Sequence, residues 1–282
     1  MSDTFEVATL ELEWFDGSQG YDPDFLGQPV PLPRLSPQRT ADLAPLLDGS
    51  GHELRYTHFS VVMSKSRRLA VFTAVNIDGA HVKEPHRERD IWLLDPRIDA
   101  KHQCANELYK RSSLDRGHLV RRLDPVWGDE ALKAQEDTFH FTNAAPQQKK
   151  LNRKTWLGLE DYILSNTDLH DLRVSVFTGP IFRDDDRVYR KIYRIPAEFW
   201  KVVVLMKTDG GLSATGYLLT QRDLISDLEG FTFGKYQTYQ TQIGQLEGMT
   251  GLNFGELRKY DPLEREEGNM IHVIGGAGDL RL

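Results

Sequence analysis

Two β-rich runs, HFSVVM at 58–63 and LAVFTAVN at 69–76, are separated by only five polar residues, Ser64 to Arg68. So short a polar break between β-branched segments forces the chain back on itself and predicts an antiparallel hairpin. Short runs at 174–177, 200–206 and 212–219, bounded by turn residues, predict further strands. Helical spacing recurs at Trp156, Leu159 and Ile163 within 151–166, and at Ile243 and Leu246 within 236–249. Strands and helices mix without the regular alternation of a doubly wound sheet. The expected class is therefore α+β, built on a mixed or antiparallel sheet.

With 282 residues and 39% hydrophobic content, one large domain can bury a full core. Residues 1–50 form a proline-rich extension whose PVPLP run, Pro29 to Pro33, cannot sit inside a helix or a central strand. This extension reads either as a docking or regulatory arm or as an irregular lead-in packed on the core. Residues 51–282 form the main domain. A single cysteine, Cys104, makes an internal disulfide impossible and suits a reducing compartment. The first basic residue is Arg34, with Asp3, Glu6, Glu11 and Glu13 before it, so no secretory n-region is visible and a cytoplasmic location is expected. No run approaches the roughly 18 apolar residues of a membrane span, so no membrane partner is expected.

The net charge of −7 is unpromising for a protein that handles polyanions, but its distribution matters more than its sum. The window from Leu108 to Trp156 carries ten Lys and Arg against six Asp and Glu. Within it stand DRGH (Asp115 to His118), FTNAAPQ (Phe141 to Gln147) and LNRKTWLGLEDY (Leu151 to Tyr162). His118, Asn143, Gln147, Asn152 and Glu160 follow one another in an ordered set that resembles the DNA/RNA non-specific endonuclease family. These are the ββα-metal nucleases, among them secreted bacterial nucleases and mitochondrial endonuclease G.

The resemblance implies a Mg²⁺-dependent, sequence-nonspecific endonuclease acting on DNA and RNA, with Mn²⁺ as a possible substitute and 5′-phosphate products. It implies His118 as general base, which suits an imidazole titrating near neutrality. Asn152 is implied as the direct metal ligand; a neutral amide leaves the ion strongly attractive to phosphate. Glu160 lies eight residues on, roughly 12 Å along a helix and about 80° around it. It therefore orients a metal-bound water or else pairs with Lys154. Arg116 faces phosphate or pairs with Asp115. Asn143 positions the His118 loop, the metal waters or the phosphate, or merely forms a turn. An upstream family arginine is matched by Arg87 or Arg89 in PHRERDIW, with Arg89 preferred; a solvated charged loop is the alternative. Lys110, Arg111, Arg121, Arg122, Lys149, Lys150, Arg153 and Lys154 flank the set as a track for the nucleic-acid backbone. The family often forms homodimers. An unrestrained cytoplasmic nuclease endangers its host, so an inhibitor or regulatory partner and a defence or toxin role are expected. The competing reading is a catalytically silent nucleic-acid-binding or scaffold protein of the same fold.

Overall fold

The computed structural model describes residues 8–86, 90–148, 172–207, 209–221, 237–265 and 271–274. Its backbone is organised by one eight-stranded sheet, antiparallel throughout. In chain order the strands are β1 (Glu53–Arg55), β2 (Phe59–Ser64), β3 (Leu69–Asp78), β6 (Arg173–Ile181), β7 (Glu198–Met206), β8 (Leu212–Thr220), β9 (Gln237–Thr241) and β10 (Ile271–Ile274). Spatially they run β10-β9-β8-β7-β6-β3-β2-β1. Two more strands, β4 (Leu114–His118) and β5 (Ala144–Gln148), pair as a separate two-stranded ribbon. The helices used below are α1 (Ala131–Asp137) and α2 (Ile243–Thr250).

The hairpin expected at 58–76 is β2–β3, and the runs at 174–177, 200–206 and 212–219 fall inside β6, β7 and β8. Their apolar residues are nearly continuous because both faces of the sheet are covered. Along β7, Trp200, Val202 and Val204 join one core while Phe199 and Val203 join the other; along β3, Phe72 and Ala74 part company with Val75 and Ile77 in the same way. The helix expected over 236–249 is a correction: residues 237–241 are strand β9, and only Ile243–Thr250 is helical. Thr238, Tyr239 and Thr241 suit a pleated surface, and pairing with β8 outweighs the local helical spacing. The helix expected at 151–166 lies outside the described residues.

The proline-rich stretch is not a loose cover. Phe15, Tyr21, Leu26, Val30, Leu43 and Ala44 are all buried, and they belong to the two cores of the sheet. The backbone N–H of Tyr21 donates to Ser60 Oγ at 2.9 Å, that of Asp22 to Asn76 Oδ1 at 2.7 Å, and that of Ala44 to the Met63 carbonyl at 2.9 Å. Prolines deny the segment its own ladder, so its polar groups are satisfied by the sheet it crosses.

Buried polar groups tie the segments together. Asp137, at the end of α1 and fully buried, accepts from Trp14 Nε1 at 2.7 Å and from the Thr57 backbone N–H at 2.9 Å. Tyr56 donates its hydroxyl to Asp95, which Arg97 also grips through Nε at 3.1 Å and Nη2 at 2.7 Å. Burial opposes ionisation of Asp95, but the Arg97 hydrogen bonds and charge outweigh it and hold the carboxyl below its ordinary range. His140 lies in the same region, packed against Phe15 and Tyr56 with ring centroids 5.5 and 5.1 Å away. Burial pulls its pKa down, so the folded protein holds it neutral.

Two predictions follow from this buried polar layer. Trp14→Phe keeps the ring but leaves a buried carboxylate oxygen short of its donor, and equilibrium urea unfolding should register a loss of about 1–3 kcal/mol. Because the unfolded chain protonates His140 near its ordinary 6.5 while the folded chain resists, stability should decline as the pH falls below that value. Urea midpoints at about pH 7.5 and about pH 5.5 should differ less in His140→Gln than in the parent.

Candidate active site

The DRGH residues are the strand β4. Its register against β5 sets Asp115 opposite Gln147, Arg116 opposite Pro146, Gly117 opposite Ala145 and His118 opposite Ala144. Strand alternation then places Arg116 and His118 on one face of the ribbon, and Asp115 and Gly117 with Gln147 on the other. The two motifs that lie 25 residues apart in sequence are thus directly hydrogen-bonded neighbours.

Asn143 precedes β5 and is completely buried. Its Oδ1 accepts from the Val120 backbone N–H at 2.8 Å, and its Nδ2 donates to the carbonyls of Val120 at 2.9 Å and Thr138 at 3.0 Å. Its own carbonyl accepts from the Leu119 N–H at 3.0 Å. The carboxamide is therefore engaged with the backbone just beyond His118. Of the roles open to Asn143 in the sequence, positioning of the His118 loop is the one that these hydrogen bonds serve. Asp124 continues the loop and is buried; burial pushes its carboxyl up against the opposing charges of Lys201 from β7 and of Arg121. Lys201 is itself 1% exposed at the centre of the sheet. The loop after His118 is in this way seated on the main core.

The imidazole of His118 is half-buried. Trp92 lies 4.8 Å away between ring centroids at 50°, and Phe139 lies 5.0 Å away, edge-on at 86°. Arg116 donates Nη2 to Asn106 Oδ1 at 2.6 Å and stands over the rings of Tyr109 and Phe141 at 5.2 and 5.8 Å. Its Nε is buried without a hydrogen-bond partner among the described residues. Aromatic faces suit a guanidinium held partly out of water. Gly117 is required by Gln147, whose carboxamide occupies the space that a Cβ at position 117 would need. Gln147 is fully buried, and neither its Oε1 nor its Nε2 has a hydrogen-bond partner among the described residues.

Of the flanking basic residues, Lys110 and Arg111 are exposed just after the short helix that carries Asn106, and Arg121 and Arg122 are half-buried in the loop after His118. Arg122 Nη1 donates to Gln135 Oε1 at 2.5 Å. Arg89, Asn152, Glu160, Lys149, Lys150, Arg153 and Lys154 lie outside the described residues. Among the described residues no three His, Cys, Asp or Glu side chains converge on one point. The sequence reading missed the aromatic surroundings of His118 and the partner of Arg116. Trp92, Phe139 and Asn106 bear no signature of chemistry in the sequence. The one available signal was the density of aromatic residues around FTNAAPQ.

Replacing Asn143 with Ala orphans a buried N–H and two carbonyls at once. Unfolding should show a loss of about 2–4 kcal/mol, and amide exchange at Val120 should accelerate well before global unfolding.

The profile of the DNA/RNA non-specific endonucleases matches residues 41–261. The chain is 40% identical over 269 residues to the protein y4fB of Sinorhizobium fredii, covering 88% of this chain and 40% of that one. It is 33% identical over 136 residues to the mitochondrial endonuclease G of Bos taurus and to that of Homo sapiens, covering 44% of each chain. The chain thus spans less than half the length of these curated relatives. Its fold is similar to that in the crystal structure of the EndoG/EndoGI complex, with a TM-score of 0.58 and 20% identity over 73% of this chain and 86% of that one. Since the family match runs from before β1 through β9 and takes in both strands of the His118 ribbon, the chain belongs to the DNA/RNA non-specific endonuclease family.

Proposed function

We propose that this chain is a Mg²⁺-dependent endonuclease that cleaves DNA and RNA without sequence preference, leaving 5′-phosphate and 3′-hydroxyl ends. The observation that carries the reading is the presentation of His118 and Arg116 on one face of a ribbon whose loop is locked by Asn143. His118 takes a proton from the attacking water, as neutral imidazole does near physiological pH. Arg116 pairs with phosphate and offsets the negative charge that develops on it. Its stacking on Tyr109 and Phe141 keeps the guanidinium in place between encounters.

The residues fit a hard divalent cation. Asn152 and the Glu160 carboxylate supply oxygen, the donor that Mg²⁺ prefers, with Asn152 as direct ligand and Glu160 acting through water. When bound, the ion supplies charge neutralisation at the phosphate and at the leaving oxygen. Lys110, Arg111, Arg121 and Arg122, with Lys149, Lys150, Arg153 and Lys154, engage the backbone of the polymer, and Arg89 adds an upstream phosphate contact. The structurally similar EndoG is held in complex with EndoGI, and restraint by an inhibitory partner is part of the reading for this chain too. Homodimerisation, a cytoplasmic location and a defence or toxin role complete it.

Plasmid DNA and RNA, each incubated with Mg²⁺ and with chelator, test this directly. The parent should degrade both without a fixed banding pattern and stop in chelator. His118→Ala should lose about 10²–10⁴-fold in rate. Ends should accept label from a 5′-kinase only after phosphatase treatment. Turnover that persists in chelator, or a fully active His118→Ala protein, would remove the proposal.

A further inference from the structure

Strand pairing fixes the backbone of His118 but not the plane of its ring. The residue lies opposite Ala144, and the following N–H is held by the Asn143 carbonyl, which together place Cα and Cβ. Rotation about Cβ–Cγ is a broad torsion without sharp staggered wells, so something other than intrinsic preference must orient the imidazole. A general base needs that orientation, because only one ring nitrogen can point at the water.

The surroundings supply it. The indole of Trp92 and the phenyl of Phe139 approach the imidazole at 4.8 and 5.0 Å with inclinations of 50° and 86°. Two walls at different angles resist both rotation and sliding of the ring, where a single stack would allow the ring to slip in its own plane. The walls are built independently of His118. Trp92 meets Phe139 at 5.5 Å and Phe141 at 5.8 Å. The Leu93 N–H donates to the Phe139 carbonyl at 3.0 Å, and the Phe141 N–H returns to the Leu93 carbonyl at 2.9 Å. On the other side of the same segment, the Leu94 N–H donates to the Ala8 carbonyl at 3.2 Å, and Thr9 bridges Leu94. The N-terminal stretch therefore braces the segment that carries Trp92.

We propose that Trp92, with Phe139, is a positioning residue that sets the plane of the His118 imidazole for proton abstraction. The inference rests on the reading of His118 as general base. Trp92 acts through the imidazole and not on the polymer or the attacking water; its effect is on the rate of turnover and not on the binding of polymer. Loss of either wall removes one of the contacts that set the ring plane, and a misplacement of about 1 Å at a reacting group costs on the order of 10²-fold in rate.

The test uses the full chain with Mg²⁺ and a defined oligonucleotide, and compares Trp92→Phe, Trp92→Leu and Phe139→Leu with the parent. Trp92→Leu should lower kcat about 10- to 100-fold with KM changed less than about twofold, and Trp92→Phe should restore most of kcat. Independently of activity, the His118 ring protons, identified by their absence in His118→Ala, should move when Trp92 is replaced by Leu as the indole ring current is lost. If Trp92→Leu fails to fold, Phe139→Leu is read in the same way. Unchanged kcat in a folded Leu variant overturns the proposal, as does a fall that Phe does not rescue or unmoved ring signals. A parent without nuclease activity whose ring signals respond as expected instead removes the general-base reading and leaves the aromatic packing in place.

Discussion

The arrangement of the site depends on the carboxamide of Asn143. Buried with no access to water, it answers one N–H and two carbonyls at 2.8 to 3.0 Å. Each bond is worth only about 1 kcal/mol net, but leaving its partners unmet inside the core costs more than that. The backbone beyond His118 therefore has one well-satisfied path, and β4 must leave its partner strand at a fixed place. Without that constraint the imidazole and the guanidinium two residues earlier would have a scaffold but no defined direction.

The ribbon in turn relies on the sheet. Asp124 and Lys201 bring opposite charges into a buried setting between the His118 loop and the central strand β7. Such groups add specificity of seating more than net stability, since desolvation offsets much of their attraction. The larger driving force is apolar burial on both faces of the sheet, to which the proline-rich segment contributes Phe15, Tyr21, Leu26 and Val30. That segment also reaches Asp137 through Trp14 and Leu94 through Ala8. It is part of the frame around the site, and cutting the chain at residue 50 would remove support from both cores.

Ribbon and sheet divide the labour of the fold. His118 and Arg116 stand half-buried on a two-stranded ribbon outside the main sheet, whose own two faces are both covered by apolar core. Trp92 and Phe139 pack against the His118 ring, and Tyr109 and Phe141 lie beside the Arg116 guanidinium, so both groups are held partly out of water by aromatic surface. The local excess of positive charge between Leu108 and Trp156 lies on the same stretch of chain, although the whole protein is acidic.

What could be read from the residues was whatever short-range chemistry dictates. The β2–β3 hairpin was legible because β-branched runs interrupted by five polar residues have few other solutions, and DRGH and FTNAAPQ were legible because residue type and order carry the chemistry. Residues 237–241 were misread as helix because a spacing of three or four apolar positions is ambiguous until the strand that pairs with them is known. The partners that orient the site were invisible. Trp92 and Phe139 reach His118 from 26 residues before it and 21 residues after it, and an aromatic residue looks the same in sequence whether it fills a core or walls a base. The sequence determined which groups exist and which strands they favour. Only tertiary packing decided what each group faces, because ring planes and carboxamide partners are set by contacts between segments that the linear order keeps apart.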